Sequence, residues 1–440
     1  MNRRWLFPAV LCMVILLLSG CSMSTVEDLY CVPQRSQEYT NLQTVMEKAM
    51  TGLEYASPQS GEHQQVVQMA DLNGDGMEEY LLFAKGSAEK PLKILIFSGD
   101  GESYELLDTI ESNGTAFDHV EYIRMNDKAG YELVVGCQVS DQVLRSVSVY
   151  TVVGDQMECI MTDSYTKFLC ADLNRDRLGD VFILKSGESE AGNGVGMLYS
   201  FENGAVERSH EVNMSSPADK IRRIMVGKLS GWETAVFVAS DIAESAIITD
   251  VYAVVNDQLT NVSFSNDSGT SVQTLRNYYV YADDIDNDGI LELPSLITMK
   301  NTEDSLTPER RYLIRWYAMT VDGSEVDKMY TYHNFVGGWY IELNGDIASR
   351  FSVTQKGNSY EFSLWDKRFK TSEKIMTVYV LTGQKREEQA IAGNRFVLHR
   401  GESVIYAADL EVASLAYNMD RDSLIASFHL ILQDWKTGET

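Results

Sequence analysis

Asp71-Leu72-Asn73-Gly74-Asp75-Gly76-Met77-Glu78-Glu79, followed at once by Tyr80-Leu81-Leu82-Phe83, is the stretch on which the reading of the chain turns. Oxygen-bearing side chains alternate through a glycine-containing loop, and an apolar run begins where the loop ends. The pattern returns as Asp172-Leu173-Asn174-Arg175-Asp176-Arg177-Leu178-Gly179-Asp180 before Val181-Phe182-Ile183-Leu184. It returns again as Asp284-Ile285-Asp286-Asn287-Asp288-Gly289-Ile290-Leu291-Glu292. Two eroded copies lie between, ending Gly130-Tyr131-Glu132 and Gly231-Trp232-Glu233. Aligning the closing acids Glu79, Glu132, Asp180, Glu233 and Glu292 gives steps of 53, 48, 53 and 59 residues.

A second marker keeps the same period. Each unit also holds an apolar strand running into a polar turn, such as Ile94–Phe97 into Gly99-Asp100-Gly101 and Val251–Val254 into Asn256-Asp257. One strand before the acidic turn, one after it and two in a hairpin make four short strands in about 50 residues, the size of a β-propeller blade. A single such sheet cannot cover its own apolar faces, so repeats of this kind stack. The expected fold is mainly β: a propeller of four-stranded blades over residues 39–330, opened by a short helix, then a small α+β domain over 331–440. The helix is read at 40–53, where Leu42, Val45, Met46, Ala49 and Leu53 fall at helical spacing. A second helix is read at 421–436, from Leu424, Phe428, Ile431 and Trp435.

The three full turns resemble the repeats of integrin-α-type (FG-GAP) and VCBS propellers, although the tripeptides that name the FG-GAP type are absent. The residues themselves suggest a hard cation. Calcium takes six to eight oxygen ligands, and acids at positions 1, 3 and 5 of a tight loop converge on one point. The candidate ligands are Asp71, Asn73, Asp75, the Met77 carbonyl and Glu79 in the first turn. In the last they are Asp284, Asp286, Asp288, the Ile290 carbonyl and Glu292. A weaker set is Asp172, Asn174, Asp176, Leu178 and Asp180, where Arg175 and Arg177 offer a guanidinium to neutralise the acids. An EF-hand is excluded, because Leu82 and Ser295 stand where its twelfth-position glutamate belongs. The resemblance implies that calcium here is structural.

The start of the chain is an address. Arg3 and Arg4 precede the apolar run Trp5–Leu18, which is short for a membrane span and ends in Leu18-Ser19-Gly20-Cys21. This resembles the lipobox of bacterial lipoproteins. The resemblance implies removal of residues 1–20, a diacylglycerol thioether on Cys21 and a palmitate-like acylated anchor on the extracytoplasmic face of the cell membrane. Residues 21–38 then read as a tether.

The chain carries 37 Lys and Arg against 64 Asp and Glu, net −27. Such a surface repels nucleic acid. The acidity is unevenly spread: residues 331–440 hold 12 bases and 14 acids, and residues 21–330 hold 23 and 50. The six histidines are scattered, and H-E-x-x-H, G-x-S-x-G and a phosphate loop are missing. With carboxylates so numerous, no pair stands out as a glycosidase acid and base. The sequence therefore reads as a non-enzymatic, membrane-tethered surface protein whose propeller binds a protein or glycan. The alternative is a hydrolase or lyase that processes envelope polysaccharide on the same scaffold.

Overall fold

The computed structural model describes residues 37–431, apart from 101, 140–143, 189–191, 244–245, 279, 300–311, 367 and 369–370. The signal segment, Cys21 and residues 22–36 lie outside the described residues, while Gln37 and Glu38, read as the end of the tether, open the helix Gln37–Ala49 that was expected at 40–53. What is described is mainly β, in six antiparallel sheets that follow chain order.

The acidic turns mark where these sheets begin to double back. The first sheet runs Val67–Ala70, Glu79–Lys85, Leu92–Gly99 and Tyr104–Ser112 as a simple meander, with Glu54–Tyr55 added beside Glu79–Lys85. The second, third and fourth repeat the meander over residues 116–165, 167–208 and 221–261. The closing acid opens the strand after the turn in four units, Glu79, Glu132, Asp180 and Glu292. In the fifth unit the strand before the turn shrinks to the single bridge Asp283 to Glu292.

Side chains alternate across a strand, so each sheet has two apolar faces to cover. In the first sheet Leu81 and Phe83 point one way, packing with Phe117, Val120 and Leu133 of the second sheet. Each side chain so buried contributes roughly 1.5–3 kcal/mol. The second sheet packs likewise on the third, the third on the fourth and the fourth on the fifth. Leu82, on the opposite face of the first sheet, is covered by Leu42 of helix Gln37–Ala49. The sixth sheet packs one face on the fifth, while Leu381, Ile405 and Ala407 on its other face meet Ala390 of the short helix Arg386–Ala390. Among the described residues no apolar cluster joins the sixth sheet to the first. The structure thus displays successive stacked sheets, and the ring closure expected from the repeat is not displayed.

The turns also meet one another. The Tyr131 N–H donates to the Asp71 carbonyl at 2.9 Å, Gly179 to Arg124 at 2.7 Å and Leu291 to Lys228 at 3.0 Å. Gly130 permits this approach, since a Cβ there would lie 2.1 Å from the Leu72 carbonyl oxygen.

Two features of the C-terminal part differ from expectation. The strand Glu325–Asn334 runs through residue 331, so the fifth sheet straddles the composition boundary. The helix read at 421–436 stops at Ser427, and Phe428–Leu430 instead forms the edge strand of the fifth sheet beside Trp339–Leu343. Phe428 is thereby drawn against Trp339, with ring centroids 5.6 Å apart. A period of three to four apolar residues cannot distinguish these outcomes when an open sheet edge competes for the backbone.

Candidate functional site

The acidic turns share one architecture. The N–H of the second residue donates to the closing carboxylate in four of them: Leu72 to Glu79 at 2.8 Å, Met125 to Glu132 at 2.7 Å, Leu173 to Asp180 at 2.9 Å and Ile285 to Glu292 at 3.2 Å. All four closing acids are buried. Gly74 and Gly76 take positive φ, and Asn287 and Gly289 do the same in the last turn. Arg175 and Arg177 hold these conformations at φ of 68° and 73° without a glycine, which costs about 1 kcal/mol each.

Position three separates the turns. Asn73 donates its amide to Glu79 Oε1 at 2.7 Å, and Asn126 donates to Glu132 Oε1. Asp71 in turn accepts from the Gly74 and Gly76 N–H groups, and Asp75 accepts from Met77. The first turn therefore satisfies itself, with Met77 half exposed. The last turn has Asp286 where the turns that close on Glu79, Glu132 and Asp180 have asparagine. An acid donates nothing when ionised, and Glu292 Oε1 and Asp284 Oδ1 are buried without a hydrogen bond. Among the described residues, Asp284, Asp286 and Glu292 are the one group of three acids whose ligand oxygens lie within 4.8 Å of one another. An Asp-Asp-Glu cluster of this kind could hold a metal ion. Burial, reinforced by Asp286, pushes the Glu292 carboxyl up to about 7. Asp288 stands beside the cluster, paired to Lys328, whose Nζ is 3.9 Å from both Asp286 and Glu292. Lys328 comes from the strand Glu325–Asn334, too distant in the chain for the motif to reveal it.

The middle turn is intermediate. Asn174 donates to Asp176 at 2.9 Å, and Asp172 Oδ1 and Asp180 Oδ1 are both buried without a hydrogen bond, but these acids do not form a three-acid cluster. Burial raises the Asp180 carboxyl to about 6. The guanidinium expected to neutralise this turn does not do so: Arg175 reaches Glu233 of the next unit, at 3.9 Å. The extended side chain at positive φ is directed to the neighbouring sheet.

A concave site that sequence reasoning missed lies between the third and fourth sheets. It encloses about 590 Å³ and is lined by Asp176, Glu202, Glu207, Arg208, His210 and Asp257, among others. Asp176 enters it from the acidic turn. Glu202 and Glu207 flank the tight Asn203-Gly204 turn, whose left-handed residues let the hairpin close in two residues. The Asn203 amide donates to Glu207 at 3.4 Å, and Arg208 lies 3.7 Å from Glu211. Asp257 comes from the equivalent hairpin of the fourth sheet. The cleft thus draws acidic residues from segments up to about 80 residues apart, while the Arg208 side chain bonds Tyr199 on the face toward the second sheet. Only the shared period of the hairpin turns hinted that they would be neighbours.

No known family's sequence model matches the chain, and no curated protein matches it. Solved structures similar to it include the exotype rhamnogalacturonan lyase YesX, with a TM-score of 0.27, 11% identity and coverage of 73% of this chain. The match spans 65% of that lyase's own length. The Bacillus licheniformis rhamnogalacturonan lyase PL11 gives a TM-score of 0.27, 11% identity and coverage of 73% and 72% of the two chains. The mannose phosphorylase MPT-4 from Leishmania mexicana gives 0.24, 9%, and 57% and 81%. These neighbours are carbohydrate-processing enzymes, which runs against the expectation of a non-enzymatic protein that only binds a protein or glycan, and that expectation is withdrawn. The sequence offered no way to choose among its carboxylates, whereas the fold brings Asp176, Glu202, Glu207 and Asp257 to the lining of one concave space.

Proposed function

We propose that this chain is a polysaccharide-processing enzyme, a hydrolase or lyase, working on envelope polymer from a propeller-like stack of blades. The observation that carries the reading is the cleft between the third and fourth sheets. Glycoside hydrolysis needs one carboxyl to protonate the leaving oxygen and a second to act as base or nucleophile. Elimination at a uronate needs a base and a cation to hold the sugar carboxylate. Glu202 and Glu207 are the assigned acid–base pair, and Asp176 on their own sheet and Asp257 across the cleft hold hydroxyls.

In the same proposal the protein is a lipoprotein held at the extracytoplasmic face of the cell membrane through Cys21, of the FG-GAP/VCBS-like type. The metal of the last turn is calcium, bound by Asp284, Asp286 and Glu292 with a structural role. Two buried oxygens without a hydrogen bond support the fit, as does the all-oxygen donor set. Calcium bound there would brace the loop between strands of the fifth unit and takes no part in the chemistry.

The test is incubation of the mature protein with rhamnogalacturonan, polygalacturonate and isolated envelope polysaccharide. Reducing ends report either cleavage, and ultraviolet absorbance reports the unsaturated product of a lyase. Cleavage that falls at least about 100-fold in both Glu202→Gln and Glu207→Gln supports the proposal. Unaltered polymers, or cleavage at the original rate in the two variants, would overturn it.

A further inference from the structure

A second cleft, between the fifth and sixth sheets, has a different chemistry. It encloses about 300 Å³, near the lower end of the range for small-ligand sites. Tyr278 from the loop before the last acidic turn, Tyr312 from the strand Tyr312–Met319 and Phe335 after the strand Glu325–Asn334 contribute rings. Tyr278 and Phe335 are 4.9 Å apart between centroids. The sixth sheet adds Gln355 and Tyr360. Polar groups are placed among these rings. Asn334 accepts the Gly337 N–H at 2.8 Å, which fixes its amide, and Gln355 donates to the Tyr360 hydroxyl at 3.3 Å.

Among the described residues the cleft is lined by no Asp, Glu, Lys or Arg. In a chain with 64 acids this is the feature that selects a ligand. His333, the one titratable imidazole in its lining, is held neutral by burial. Rings with a partly open face, amides and phenols, and no formal charge suit a molecule with C–H faces and hydroxyl edges. An anionic ligand would meet no cation among the described lining residues.

We propose that the cleft between the fifth and sixth sheets is a binding site for a neutral oligosaccharide segment, separate from the acidic cleft. Tyr278, Tyr312 and Phe335 pack against pyranose C–H faces, and Asn334 and Gln355 take hydroxyls. The site rests on the carbohydrate reading for its ligand class and on its own geometry for its location.

Calorimetry of the full mature chain with cellohexaose, xylohexaose, mannohexaose and maltohexaose tests it, with hexagalacturonate as the anionic control. At least one neutral probe is expected to bind and hexagalacturonate is not expected to displace it. Tyr312→Ala and the surface substitution Gln355→Ala should each weaken that probe at least about tenfold. If Tyr312→Ala does not fold, Tyr312→Leu and Gln355→Ala carry the test. Binding of none of the four neutral probes, or unchanged affinity in these variants, would overturn the site. Glu207→Gln should leave this binding intact while abolishing cleavage, so loss of one proposal is distinguishable from loss of the other.

Discussion

Replacing His333 by phenylalanine should remove a pH dependence that the fold imposes on the protein's stability. The imidazole is 7% exposed, stacked on Tyr340 at 4.7 Å with 7° between planes and tilted against Phe335 at 5.4 Å. Burial among these rings pulls it from an ordinary 6.5 down to about 3. A folded-state value below the unfolded one means that, between these limits, the unfolded chain binds a proton that the folded chain refuses. The contribution is therefore fully present above about pH 6.5 and is lost progressively as pH falls toward about 3. At about pH 5 the unfolded imidazole is almost wholly protonated and the buried one almost wholly neutral. The fold should then lose about 2 kcal/mol from this residue relative to pH 7.5. Other groups move the opposite way: the buried Asp180, raised to about 6, favours the folded chain as pH falls. Only the difference between the original chain and His333→Phe isolates the effect. Urea unfolding of both at about pH 7.5 and about pH 5 should show that difference changing by about 2 kcal/mol, to the disadvantage of the histidine form at the lower pH. A difference that stays within about 0.5 kcal/mol across the two conditions would refute the reasoning, because a buried neutral imidazole cannot avoid this linkage.

Calcium at about 100 times its dissociation constant should stabilise the protein by about 2.7 kcal/mol, seen as a higher melting temperature reversed by chelator; Asp284→Asn with Asp286→Asn should abolish the shift, and Lys328→Ala, which removes the competing ammonium, should tighten binding. The same titration on Asp71→Asn with Asp75→Asn decides the first turn, whose closing acid the Asn73 amide already satisfies; an unchanged calcium response in that variant would leave the last turn as the metal site. Asp250, wholly buried, accepts from the Ser215 N–H and hydroxyl, the Ser271 hydroxyl and the Asn261 amide at 2.6–2.9 Å; Asp250→Ala strands all of these donors and should cost about 3 kcal/mol or more in urea unfolding, so a cost below about 1 kcal/mol would contradict the network. Cys21→Ser should move the protein from the membrane fraction to the soluble one, and retention at the membrane would end the anchor proposal.

Much of the fold is legible because its units are local. A turn of nine residues makes its own hydrogen bonds, so Gly76 and Gly289 announce positive φ in advance and the closing acid announces the next strand. The first helix is likewise legible, since its apolar stripe needs only one face to pack on, but it spans Gln37–Ala49 and not the 40–53 read from the spacing. The same locality explains what was misread. Phe428 and Ile431 fit a helical stripe as well as an edge strand, and the decision belonged to Trp339–Leu343, some 90 residues earlier, whose open edge recruited the segment.

By itself the sequence determined the fifty-residue period, the strands and the bends between them, because alternation, glycine placement and backbone satisfaction act over a few residues. Tertiary structure decided which turn gathers three acids with unmatched oxygens, which acidic residues share a cleft and what covers the two ends of the stack. Those outcomes depend on Lys328 reaching an acidic turn from another strand, on one hairpin facing the next, and on helices lying over faces that a repeat pattern leaves unassigned. Electrostatic and packing energies depend on distance in space, and the order of residues along the chain constrains that distance only where the contacts are local.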